Sequence, residues 1–286
     1  MRSVMTRELS DVTPHLPLTQ RVRTDHGARS SPLGTLRRGM VGVATALCLA
    51  EAVARWGVDS AALPPVSLVL ANTANLLADP DFLAEVGATL TAALTGLGVA
   101  ALAGTALGLA LGSVGWVERA SSVVVEFLRP IPSVALIPVA ILAFGQGAEM
   151  KVALVTYAAL WPILFNTLYG VRAVEPLAKE SARVFGVPRL SVLNRVVLPS
   201  TAPFIAAGVR ISAAIALIVT VSAELLAGAA EGLGSWILRM SSGGANTDMV
   251  YAGTIVAGLL GLSVNGLLRA VEHRLFRWKR LVEERT

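Results

Sequence analysis

The segment Glu180–Pro199 reads ESARVFGVPRLSVLNRVVLP and joins two long apolar stretches of the chain. Its arginines are typical of a cytosolic connection, because positive residues are retained on the cytosolic side of a membrane. Gly186 fits the position just past the end of a helix, where glycine is favoured. The spacing therefore predicts a helix over 175–185, a glycine bend, and a second helix over 188–197 that Leu198-Pro199 ends.

The composition on either side of this segment is that of a membrane protein. Of 286 residues, 54% are hydrophobic and only 15% are charged, and the mean hydropathy is +0.67. A soluble domain carries about 25% charged residues. A helix of about 20 apolar residues crosses a bilayer core, and several segments reach that length. We therefore predict an all-α integral membrane protein.

The apolar stretches predict six transmembrane helices. Their approximate bounds are 39–56, 86–112, 123–143, 151–170, 199–223 and 249–268. The first could instead be a signal peptide ending near Ala52-Val53-Ala54, but the basic region before it is too long, and we interpret it as a retained span.

Three local features refine these spans. Asp81 is a candidate N-cap for the second helix. Gly104, Gly108 and Gly112 recur every fourth residue in that helix, which allows close approach of another helix, within the chain or at a dimer seam. Arg129-Pro130-Ile131-Pro132 lies near the start of the third span, where the prolines are expected to bend the axis.

The basic residues set the orientation and the domain boundaries. Of the 24 Lys and Arg, seven precede the first apolar span (Arg2 to Arg38), five lie between Arg172 and Arg195, and six follow the last span (Arg269 to Arg285). Arg119 joins them on the same side, so both termini are predicted to be cytosolic. The expected domains are a disordered basic tail (1–36), a six-helix domain (37–270) with a cytosolic coupling loop (172–199), and a second basic tail (271–286). Arg55, Lys151 and Arg239 are expected on the outer side.

Several classes of function are disfavoured. The net charge of +5 is concentrated in the tails and one loop, which argues against nucleic-acid binding. No Gly-Lys-Ser/Thr sequence is present to bind a nucleotide phosphate. The single cysteine, Cys48, excludes an intrachain disulfide, and the three histidines, His15, His26 and His273, lie in the tails, so no metal site is expected. We predict a protein without its own ATPase site and not an enzyme.

The loop resembles the EAA loop of binding-protein-dependent ABC importer permeases. The matching positions are Glu180, Ala182, Gly186, Val196, Leu198 and Pro199. Ser181 replaces the usual first alanine, and Val196 the usual isoleucine. The resemblance implies the MetI-like fold, with type I ABC importer permease architecture, in a bacterial plasma membrane.

The resemblance extends over roughly residues 60–280 and is closest to permeases for nitrate, taurine and alkanesulfonates. The segments that carry it are Leu63-Pro64-Pro65, Arg129-Pro130-Ile131-Pro132, Phe144-Gly145-Gln146-Gly147, Glu224-Leu225-Leu226 and Gly232-Leu233-Gly234. It implies a translocation path for a small anion such as a sulfonate, taurine or nitrate. The alternatives are a pyrimidine- or riboflavin-type vitamin precursor, a secondary transporter or, from another class, a membrane-embedded enzyme.

The family also implies partners. These are a pair of ABC ATPase subunits carrying ATP and Mg, a second copy of the permease, and an extracytoplasmic substrate-binding protein. The residues expected to couple the ATPase to the permease are Glu180, Ser181, Ala182, Arg183, Gly186, Leu198 and Pro199. ATP binding would draw the two loops together and open the permease outward.

Four polar residues within or near spans are candidates for the translocation path: Arg210, Glu224, Asn166 and Arg129. Arg210 would attract an anion, or else snorkel or pair with Glu126. Glu224, at the outer end of the fifth span, would close the path by pairing or mark the interface. Asn166 would line the route or bond a neighbouring helix.

Overall fold

The computed structural model describes residues 32–57, 63–244 and 246–276. Within these ranges every regular element is helical. The helices are α1 (Pro32–Ala52), α2 (Val66–Leu76), α3 (Pro80–Ser113), α4 (Gly115–Leu128), α5 (Ile137–Phe144), α6 (Ala148–Ala173), α7 (Pro176–Val184), α8 (Arg189–Val192), α9 (Leu198–Ala227), α10 (Leu233–Ser242) and α11 (Thr247–Leu275). Residues 32–36 are helical, and the predicted tails over 1–31 and 277–286 lie outside the described residues. Among the described residues, those up to Leu49 and those from Ala50 onward form separate units.

The prediction of six spans is confirmed when one bent helix pair counts as a single span. Five helical segments of the described chain are long and apolar enough to cross a bilayer: Arg38–Trp56, Pro80–Ser113, Ala148–Ala173, Arg189–Ala227 and Thr247–Leu275. The sixth consists of α4 and the segment Ser133–Phe144. Following the predicted orientation, we call the end with the 145–147 turn the outer end and the end with residues 172–199 the inner end.

The third span is broken at Arg129–Pro132, where the prolines were expected to bend its axis. The axes on either side of Arg129–Pro132 differ by 80°, and a 3₁₀ turn, Ser133–Leu136, leads into α5. Pro130 and Pro132 have no backbone N–H, so two helical hydrogen bonds cannot form here. The Leu128 carbonyl, whose normal helical donor would be the N–H that Pro132 lacks, accepts instead from the Tyr157 hydroxyl at 2.5 Å and from the Ile131 N–H at 3.2 Å.

The core from Ala50 onward lies where α3, α6 and α9 meet. On α3, Gly96, Gly104, Gly108 and Gly112 all face α6, with the fully buried Ala100 between them. A Cβ at Gly108 would lie 2.6 Å from the Thr167 Cβ. The glycine stripe therefore serves packing within the chain, one of the two uses that its spacing predicted.

A polar cluster joins Glu51 and Arg55 to the start of α2. Glu51 accepts hydrogen bonds from the Ser67 backbone N–H at 3.0 Å and from the Ser67 hydroxyl at 2.8 Å. Arg55 pairs with the same carboxylate at 2.6 Å. Glu51 thus caps the start of α2 and is itself neutralised.

The predicted N-cap of the second span is wrong by two residues. Asp79, not Asp81, is the cap of α3, and its side chain accepts from the Asp81 backbone N–H at 3.0 Å. Pro80 explains the difference, since proline fits the first helical position, where no N–H donor is needed. The helix therefore starts before Asp81.

We expect Gly108→Ala to destabilise the protein by about 1–3 kcal/mol, because its Cβ would also lie 2.7 Å from the Leu164 carbonyl oxygen. Gly98 lies on the same helix, and a Cβ added there would have nothing within 4 Å. Gly98→Ala is therefore the matched control and should be neutral or slightly stabilising. Thermal unfolding in detergent measures both. Equal effects of the two variants would contradict close packing of α3 on α6.

Candidate functional site

Residues 172–199 at the inner end, called the coupling segment below after their predicted role, form the glycine bend that the sequence predicts. Helix α7 ends at Val184, and Gly186 has φ +74°, in the left-handed region that favours glycine. The Val187 N–H donates to the Ala182 carbonyl at 3.0 Å, the bond that closes a Schellman motif. The direction in which the chain leaves α7 is therefore fixed by Gly186.

The predicted end of the second helix at Leu198-Pro199 is wrong. The helical run Arg189–Ala227 is continuous, passing from α8 through a π turn, Leu193–Val197, into α9. Pro199 is the second residue of α9 and follows the π turn directly, so the irregular turn lies where the proline lacks an N–H donor. The coupling segment is thus continuous with a membrane-spanning helix.

Helix α7 leaves large apolar side chains uncovered. Leu177, Val184 and Phe185 lie on one face, and Val184 and Phe185 are 84% and 85% exposed. Glu180 and Ser181 are also exposed, and Ala182 is half-buried; the side chain of Arg183 lies outside the described part of the structure. The exposed face combines an apolar stripe with a carboxylate, as a protein docking surface does.

Polar contacts hold this segment against the inner ends of the spans. The Lys179 Nζ donates to the Val171 carbonyl near the end of α6 at 2.9 Å. Arg172 pairs with Glu118 in the first turn of α4. These contacts connect α7 and α6 with the start of the broken span.

Arg210 is paired, but with a different carboxylate from the one expected. Its Nη1 lies 3.1 Å from Glu272 Oε2 on α11, so the suggested pair with Glu126 is not formed. Arg210 and Arg269 both line a groove of about 780 Å³ between α9 and α11, together with Asn265 and Ser222. The pair neutralises Arg210 and leaves its guanidinium at the wall of the groove.

The other path candidates occupy separate places. The Asn166 side-chain amide donates to the Pro162 carbonyl at 2.8 Å within α6. The Arg129 guanidinium lies 4.6 Å from the centre of the Phe165 ring, a cation–π contact beside the helix break. Glu224 lies at the outer end, about 21 Å along α9 from Arg210 at 1.5 Å per residue. The structure does not bring the four residues together.

Glu224 forms the centre of a buried polar cluster at the outer end. Its carboxylate is 0% exposed and pairs with Lys151, 4% exposed, at 2.9 Å. The Thr89 hydroxyl donates to it at 2.9 Å. The sequence predicted Lys151 on the outer side, and its side chain is buried there. Because Thr89 lies on α3, Lys151 on α6 and Glu224 on α9, one carboxylate joins three helices.

The Gly232-Leu233-Gly234 segment wraps this carboxylate. The Gly234 N–H donates to Glu224 at 2.9 Å, and the Leu233 N–H donates to the Thr89 hydroxyl at 2.7 Å. A Cβ at Gly232 would lie 2.2 Å from a Glu224 oxygen, which explains the glycine. The Gly232 N–H bonds Glu85, which also pairs with Arg239 on α10. The cluster thereby fixes α10 and the loop before it.

Sequence reasoning missed Lys151 and Thr89 as members of this cluster. The available signal was a lone lysine one turn into an apolar helix, which requires a buried partner. No group of three or more His, Cys, Asp or Glu side chains in the described chain lies together as metal ligands would.

Comparison with known proteins relates the chain to importers. The model of a family described as binding-protein-dependent transport system inner membrane component matches residues 96–277. The taurine transport system permease protein TauC of Escherichia coli (strain K12) is 31% identical over 221 residues, which cover 76% of this chain and 80% of TauC. The nitrate import permease protein NrtB of Leptolyngbya laminosa is 28% identical over 256 residues, covering 86% and 88%.

A solved structure of a transporter has the same fold as this chain. A bacterial ABC transporter involved in the import of the acidic polysaccharide alginate superposes with a TM-score of 0.62 at 16% identity. The match covers 85% of this chain and 94% of that one. At this identity, the likeness concerns the fold alone.

We expect Glu224→Gln to lower the free energy of unfolding by about 3–5 kcal/mol, because it leaves the Lys151 charge buried without a counter-charge. Adding Lys151→Met should recover most of this loss, because it removes the buried charge that Glu224→Gln leaves without a counter-charge. Thermal unfolding in detergent measures both. The control is Glu231→Gln, an exposed neighbour; an equal loss there, or a double variant no better than Glu224→Gln, would contradict the role of the pair.

Proposed function

The chain belongs to the family of binding-protein-dependent transport system inner membrane components, and on this premise we propose how it carries solute and which anion class it carries. Family and relatives make it a multi-pass inner membrane protein and the permease subunit of an ABC importer. As such it is a transport subunit and not an enzyme. The proposal covers its partners, its coupling residues and its substrate.

The ATPase subunit docks on the exposed face of α7. The observation that carries this proposal is the uncovered stripe of Leu177, Val184 and Phe185 beside Glu180, at the inner end. Exposed apolar side chains with a charged neighbour favour a protein partner. The residues assigned to this contact are Glu180, Ser181, Ala182, Arg183 and Gly186.

Force from the ATPase enters the membrane through a continuous helix. Arg189–Ala227 runs without interruption from the coupling segment to the outer end, so a displacement of α7 and α8 is passed directly to α9. Leu198 and Pro199 lie at this transition, next to the π turn. A π turn is a local irregularity that often marks functional positions in helices.

The full assembly has two copies of this chain, two ATPase subunits that hold ATP and Mg, and one extracytoplasmic binding protein. ATP binding closes the ATPase pair, draws the two α7 helices together and opens the path outward to receive solute. Hydrolysis returns the path to its inward-open state. Under this proposal Arg210, Asn166 and Arg129 contribute to the path at separate places, and Glu224, buried in its pair with Lys151, closes it at the outer end.

The substrate is a small anion of the nitrate, taurine or sulfonate type. Two relatives are named for nitrate and taurine transport. The groove between α9 and α11 supports an anion, because it is lined by Arg269 as well as by the paired Arg210, and none of its lining residues is acidic. Its apolar walls suit the carbon part of a sulfonate.

We expect Gly186→Val to uncouple ATP hydrolysis from uptake while the protein still inserts. A β-branched residue at φ +74° costs about 1–3 kcal/mol and forces the bend to change. Uptake per ATP hydrolysed, measured in proteoliposomes with the co-purified ATPase and binding protein, should fall at least tenfold.

The matched control is Gly244→Val. Gly244 also has a positive φ, +64°, and a Cβ added there would meet open space, but it lies near the start of α11 at the outer end. This variant should keep the normal ratio of uptake to hydrolysis. Normal transport by Gly186→Val, or equal uncoupling by both variants, would reject docking at this segment.

We expect Arg210→Gln to lower anion uptake about tenfold if the guanidinium attracts the solute, whereas Glu272→Gln should leave uptake unchanged or raise it. Both variants break the same ion pair, but only the first removes the positive charge. Uptake of radiolabelled taurine and of nitrate by proteoliposomes provides the measurement. Equal losses in the two variants would show that the pair acts only in stability.

A further inference from the structure

A cavity of about 570 Å³ lies behind the coupling segment, at the inner end of the spans. One wall is the turn from α3 into α4, at Ser113–Gly115; the other is formed by α7 and α8. We propose that this cavity binds a phosphate group, supplied by an anionic phospholipid headgroup or by soluble phosphate.

The charge of the cavity favours an anion. Its two charged lining residues are Lys179 and Arg189, and none of its lining residues is acidic. A lysine acts as a compact point charge, and an arginine offers a planar pair of donors that matches phosphate oxygens. Two cations from different helices suit a single phosphate better than an apolar ligand.

The two cations are placed differently. The Lys179 Nζ is held in position by its bond to the Val171 carbonyl at 2.9 Å. Arg189 is exposed, and no acidic side chain of the described residues lies within 4 Å of its guanidinium. A phosphate would therefore meet one fixed charge and one guanidinium that no described carboxylate neutralises.

The position of the cavity suits a lipid. Val171 lies near the end of a spanning helix, at the depth where headgroups meet water under the predicted orientation. The rest of the lining is apolar or glycine, apart from Ser113, and includes Val192, Leu193 and Val197, which would contact glycerol or acyl carbons. Basic pockets between helices on the cytoplasmic side are known to bind anionic headgroups.

Occupancy would affect the coupling segment. Lys179 lies on α7 and Arg189 starts α8, on opposite sides of the Gly186 bend. One phosphate held by both would tie the two helices together and stabilise the bend. This consequence rests on the proposed function; phosphate binding itself does not.

Native mass spectrometry of the full-length chain with equimolar phosphatidylglycerol and phosphatidylcholine tests the proposal. We expect phosphatidylglycerol to be retained preferentially, and Arg189→Gln to weaken it roughly fivefold. The matched control, Arg195→Gln, removes an exposed arginine of the same segment that does not line the cavity, and should change affinity less than twofold. Lys179→Arg, which keeps the charge, should retain binding, whereas Lys179→Gln should not.

The source of the phosphate is distinguished by competition. Displacement of phosphatidylglycerol by millimolar inorganic phosphate identifies a soluble anion, and its absence identifies the lipid. Equal binding of the two lipids together with no binding of inorganic phosphate by the same protein, or equal weakening by Arg189→Gln and Arg195→Gln, would overturn the proposal. If the unmodified chain co-purifies with the ATPase but shows no lipid selectivity, this inference alone is overturned. If it shows lipid selectivity but does not bind the ATPase, only the docking proposal is overturned.

Discussion

Close contact between α3 and α6 is the constraint on which the rest of the structure depends. Within hydrocarbon the burial of apolar side chains does little to hold helices together, so association depends on backbones coming close enough for dispersion contacts. Gly96, Gly104, Gly108 and Gly112 provide that approach. Helix α9 packs on the same core through Gly208, where a Cβ would lie 3.0 Å from the Ile163 Cα.

Once these three helices are in contact, their outer ends bring together groups that could not be buried alone. The Glu224 carboxylate, the Lys151 ammonium and the Thr89 hydroxyl come from three helices and satisfy one another. The Gly234 N–H completes the set, because a backbone N–H is a strong donor to a carboxylate. The buried pair thereby joins the outer loop to the three helices, and removing one partner alone would leave a charge buried without compensation.

The inner end has the opposite character. Here the Lys179 Nζ bonds α7 to the end of α6, and the apolar face of α7 stays uncovered, as the proposed docking of the ATPase requires. The continuous helical run Arg189–Ala227 connects this segment to the buried outer cluster. Under the proposed function, it carries the displacement across the membrane.

The sequence by itself determined what depends on local chemistry. Apolar length predicted the six spans, and the need for a positive φ predicted the Gly186 bend. Only the tertiary structure decided which residues meet: Lys151 with Glu224, Arg210 with Glu272 and not Glu126, and the continuity through Leu198-Pro199. Helical periodicity assigns a face to a side chain but not the neighbour opposite it, because that neighbour depends on how the helices pack together.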